Sequence, residues 1–61
     1  MSFDNDALLV QQTARKMLDR DGARARRIAI DYAELAHELG DTFSAEAWRN
    51  IANAIERLQP R

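Results

Sequence analysis

The stretch Ala23-Arg24-Ala25-Arg26-Arg27-Ile28-Ala29-Ile30-Asp31-Tyr32-Ala33-Glu34-Leu35-Ala36-His37-Glu38-Leu39-Gly40 decides the fold. Ala25, Ile28, Tyr32, Leu35 and Leu39 recur in steps of 3, 4, 3 and 4. At 3.6 residues per turn these positions share one helical face. Ala29 and Ala36 widen that stripe. Nothing alternates with period two, so the pattern excludes a strand. Gly40 supplies the stop, because glycine takes the left-handed conformation that ends a helix without a Cβ clash. The spacing predicts a helix over about 23–39 whose Ile28–Tyr32–Leu35–Leu39 side faces the core.

The same punctuation organises the rest of the chain. Gly22 closes a first segment over about 4–21, and Pro60 closes a third over about 42–59. In the first, Phe3, Ala7, Val10, Ala14 and Met17 fall on one face with Leu18 beside them. Asp4 or Asn5 is placed to cap it, and an acidic start suits the helix dipole. In the third, Ala45, Trp48, Ile51, Ile55 and Leu58 form the stripe, with Ala52 inside it. Its cap is either Asp41 or Ser44, the latter with a Phe43–Trp48 staple across the first turn. Three amphipathic helices joined by short turns run up, down and up. The expected fold is therefore all-α, a single domain over 1–61 folded as a small antiparallel three-helix bundle, with dimerisation completing its core.

Composition explains that last expectation. Eleven alanines leave 16 large apolar side chains beyond Met1 to build a core. A chain of this length buries only about 60% of its unfolded surface. It has no cysteine, which excludes a disulfide scaffold and a thiolate zinc site. It is too short to wall off a ligand pocket with its own core, so an enzyme is not expected, nor is a cofactor. The longest apolar run, Ala7-Leu8-Leu9-Val10, is far short of a membrane span. The acidic Met1–Asp6 start has no apolar core after it, unlike a signal peptide, and a cytoplasmic protein is expected.

Two surface features suggest partners. Leu8 and Leu9 on the first segment, and Ile30 and Ala33 on the second, lie off the core stripes. They are the candidate homodimer interface. Charge is also unevenly spread behind a net charge of −1. An up-down-up bundle gathers eight basic residues against three acids at the Gly22 end, and seven acids against Arg49 at the other. Arg24, Arg26 and Arg27 crowd the start of the second helix, where cations oppose the dipole. Arg27 is spaced to pair with Asp31, and Arg15 with Asp19. Arg20, Arg24, Arg26 and Arg27 are the candidate patch for an anionic partner, either an acidic protein surface or nucleic-acid phosphates.

Other constellations are weaker. Leu35-Ala36-His37-Glu38-Leu39-Gly40 looks like the first helix and turn of a helix-turn-helix reader, but Asp41 and Glu46 stand where that motif needs apolar anchors. His37 sits near Glu34, Glu38 and Asp41, where a metal site can be imagined, but a single His among surface carboxylates is usually just solvated, and no metal is expected. Ser2, Ser44, Thr13 and Thr42 have no paired base for nucleophilic chemistry. Trp48 and Tyr32 lie on the core stripes and read as packing residues.

Gly40-Asp41, then Ala45, Trp48-Arg49, Ile51, Ala54-Ile55 and Leu58 resembles the C-terminal half of a group of small uncharacterised bacterial helical proteins. Leu18-Asp19-Arg20-Asp21-Gly22-Ala23 is similar to the first inter-helix turn of that group, which often has His where this chain has Asp21. The resemblance implies a small all-helical protein and brings no activity, cofactor or catalytic residue. The functional expectation is a non-enzymatic protein-interaction or accessory module that self-associates. The alternative is a small nucleic-acid-binding regulator using the basic end from Arg15 to Arg27.

Overall fold

In a computed structural model of the chain, residues 3–59 are described, with side chains from Ala7 onward. Three α-helices follow one another: α1 (Phe3–Asp21), α2 (Ala25–Glu38) and α3 (Thr42–Leu58). A single 3₁₀ turn, Gly22–Arg24, joins α1 to α2. The all-α, three-helix reading holds. The α1 start falls at Phe3, so Asp4 and Asn5 lie inside its first turn instead of capping it. Their side chains, that of Phe3, and the expected stop at Pro60 are outside the described residues.

Both glycines do what their positions require. Gly22 has φ +60° and Gly40 has φ +79°. At the second, the Gly40 N–H donates to the His37 carbonyl at 3.0 Å and the Asp41 N–H to the Ala36 carbonyl at 2.9 Å. These are the two bonds of a Schellman ending, which needs a left-handed residue at that place. Asp41 then starts the next helix, its side chain accepting from the Ser44 N–H at 3.0 Å. Asp41, not Ser44, is thus the cap of α3, and no staple forms, since Phe43 is 83% exposed.

The packing corrects the expected faces. α3 is central and packs extensively against α2 and less so against α1, whereas α1 and α2 touch sparingly. The buried core is small: Ala14, Met17, Ala25, Ala29, Ile51, Ala52, Ala54 and Ile55, with Val10, Leu18, Ile28, Ile30 and Trp48 packed partly against it. α2 meets α3 through Ala25, Ala29, Ala33 and Ala36, all buried. The side expected to face the core is mostly outside: Tyr32 is 47%, Leu35 51% and Leu39 75% exposed. The physical reason is backbone approach. A row of methyl groups lets two helices lie close together, and larger side chains on that row would hold them apart.

The molecule measures 33 × 28 × 17 Å, with a radius of gyration of 11.3 Å. A compact chain of this length is expected near 10.5 Å, roughly, so the three helices form a somewhat open slab. Among the described residues no helix is long and apolar enough to cross a membrane.

Candidate protein-interaction surface

The sparing contact between α1 and α2 leaves a groove between them. Thr13, Lys16, Met17 and Arg20 of α1 form one wall, Tyr32 of α2 the other, and Trp48 of α3 contributes from between them. Tyr32 and Trp48 are stacked, with ring centroids 4.7 Å apart and planes inclined by 29°. Offset aromatic contacts of this kind hold both rings in place. The two aromatics therefore pack, as the sequence implies, but at the edge of a groove and not inside a closed core.

Outward from Tyr32, the surface of α2 continues through Leu35 and Leu39, both more than half exposed. Together with Ile28, which is partly buried against the core, they repeat at 28, 32, 35 and 39. That 4-3-4 spacing is the seam of a coiled-coil helix. It is the same row that the sequence assigns to the monomer core. The structure gives the core side of α2 to alanine and leaves the heptad row beside it.

The four residues singled out as an interface separate. Ala33 is 3% exposed and belongs to the α2–α3 contact, so it cannot present a free face. Ile30 packs partly against the core. Leu8 is exposed on the outer side of α1, near Gln11, Gln12 and Arg15. Leu9 is exposed at the edge of a second groove, between α1 and α3, with Val10, Phe43, Ala47 and Ile51. The four therefore form no common face. The surface that sequence reasoning missed is Tyr32, Leu35 and Leu39. Its signal is present in the sequence as the heptad row, which spacing alone assigns to the core and the structure leaves exposed.

The arginine patch also resolves into two pairs. Arg20 bonds Asp21 through its Nε and Nη2 at 3.2 Å. Arg26 lies 3.5 Å from Glu56 of α3. Arg24 and Arg27 have no ion-pair partner among the described residues, and the expected Arg27–Asp31 and Arg15–Asp19 pairs do not form there. Arg24, Arg27, Ile28 and Asp31 share one stretch of surface with Arg20. α2 has no acidic residue in its first turn, and its cap position, Arg24, makes no side-chain capping bond. The cations there oppose the helix dipole, and among the described residues only Arg26 has an ion-pair partner to offset this.

The weaker constellations find these places. The Arg26–Glu56 contact joins the start of α2 to the last turns of α3, so the two helices run antiparallel along their lengths. His37, Glu34, Glu38 and Asp41 are all exposed, and no three such groups converge among the described residues. The Asp41 carboxyl is held below its ordinary value, chiefly by the bond from the Ser44 N–H and secondarily by the Ser44 hydroxyl. Its role is that of a helix cap. Compared with protein-family models, curated proteins and solved structures, the chain matches none of them.

Proposed function

We propose that the protein is a non-enzymatic interaction module that acts by self-association. The observation that carries this reading is the heptad row on α2. Tyr32, Leu35 and Leu39 have coiled-coil spacing yet remain outside the monomer's core. A helix spends large apolar side chains on a seam when another helix covers them. The monomer covers the neighbouring alanine row, buries Ile28 in part and stacks Tyr32 on Trp48, and leaves Leu35 and Leu39 exposed. The small core, in which Ile55 is the one large side chain among the described residues that is fully buried, supports the same reading. A chain this short gains stability most directly by sharing a core with a second chain.

Sedimentation velocity from low to high micromolar concentration tests the proposal. The expected result is a monomer–dimer equilibrium that the double substitution Leu35→Lys, Leu39→Lys moves wholly to monomer while the helical circular-dichroism signal stays. A native chain that remains monomeric throughout the range overturns it.

A further inference from the structure

We propose that the second copy docks antiparallel, α2 against α2, about a two-fold axis near Asp31, with the misplaced charges of α2 setting that orientation. This rests on the self-association proposed above and specifies its geometry. Three observations lead to it.

The first is the seam Ile28, Tyr32, Leu35 and Leu39, whose last three residues are 47%, 51% and 75% exposed. The second is the sign change along its border. Arg24 and Arg27 lie at the start of α2, and Asp31, Glu34 and Glu38 follow, all exposed. Arg24, Asp31 and Glu38 are seven residues apart, so they border the seam on one side. In coiled coils such bordering charges choose the partner and its direction. A parallel copy would bring the two arginine-bearing ends of α2 together at one end and the two acidic halves together at the other. An antiparallel copy centred near Asp31 sets Arg24 opposite Glu38 of the partner subunit on each side of the axis, two attractive pairs against the single Asp31–Asp31 pair at the axis, with Arg27 and Glu34 adding the same signs on the outer side of that border. It sets Ile28 against the Tyr32–Leu35 part of the other seam. The two-fold axis repeats each contact, as in any isologous interface.

The third observation is that these charges are the wrong way round for a helix standing alone. Cations crowd the N-terminus of α2 and carboxylates its C-terminal half, against the helix dipole at both ends. Among the described residues, Arg26 alone of these α2 charges has an ion-pair partner, Glu56. An antiparallel copy brings carboxylates to each α2 N-terminus and guanidinium groups to each C-terminus. It thereby supplies what the monomer lacks.

Charge reversal tests this cleanly, because reversal improves the isolated helix. Arg24→Glu with Arg27→Glu, and separately Glu34→Lys with Glu38→Lys, should each raise the denaturation midpoint of the monomer. Each should also weaken dimerisation about tenfold or more, since like charges then face each other. The chain with all four substitutions should dimerise again, and the two double variants should form a mixed dimer with each other. A short bismaleimide should link two Asp31→Cys chains, and link Arg24→Cys to Glu38→Cys, but should not link Glu38→Cys to itself. If the native chain dimerises but the double variants dimerise equally well, or Glu38→Cys links to itself, the antiparallel geometry is overturned while self-association stands. If the native chain is monomeric, both fall.

Discussion

At the scale of single residues, Asp41 serves two helices. Its N–H closes the Schellman ending of α2 and its carboxylate caps α3. The side-chain part of this depends on pH. The folded carboxyl is held below its ordinary value by the bond from the Ser44 N–H. A depressed folded pKa means that the cap's contribution is complete above the ordinary carboxylate value and disappears as pH falls through the folded one. Asp41→Asn keeps an accepting oxygen, so at neutral pH it should lower the thermal midpoint less than Asp41→Ala. Both should remove the part of the acid sensitivity that belongs to this residue. Thermal melts at neutral pH and near pH 3, followed by circular dichroism, check both statements. The choice of Asp41 over Ser44 was open in the sequence, because both residue types cap helices. The ending of α2 at Gly40 decides it, by fixing where the chain re-enters a helix.

At the scale of the element, α2 shows what a sequence pattern leaves undetermined. It carries two rows, alanine at 25, 29, 33 and 36, and large apolar side chains at 28, 32, 35 and 39. The rows lie roughly a quarter turn apart. Hydropathy favours the larger row as the core face. Which row is buried depends on how closely α3 approaches, a property of the helix pair that the α2 pattern alone does not contain. The existence, number and near boundaries of the helices were legible, because Gly22 and Gly40 interrupt otherwise strong helix formers. The direction α2 faces was not, so Ala33 reads as surface in the sequence and is buried in the fold. In dilute, monomeric protein, Ala33→Leu should cost about 1–3 kcal/mol by overpacking the α2–α3 contact. Leu39→Gln on the outer row should stay within about 0.5 kcal/mol. Urea unfolding at low protein concentration separates the two.

At the scale of the whole molecule, the slab has a thin interior and one uncovered seam. If a second chain covers that seam, folding and association are linked, and stability rises with concentration by mass action. The thermal midpoint of the native chain should rise across a hundredfold concentration series. The chain carrying Leu35→Lys and Leu39→Lys should melt at one temperature throughout. Differential scanning fluorimetry or calorimetry reads this directly. The neutral-looking net charge resolves at this scale too. Opposite signs occupy the two halves of the same exposed helix, and their order matters more than their sum.

The Tyr32–Trp48 stack has a practical consequence. These are the protein's only tyrosine and only tryptophan, and their rings lie 4.7 Å apart. Light absorbed by the phenol is passed efficiently to the indole, and all intrinsic emission comes from one spot beside the α1–α2 groove. The native chain is therefore its own optical probe. A blue shift on concentration reports water leaving that groove, and loss of phenol-excited emission reports α2 and α3 parting, with no label attached.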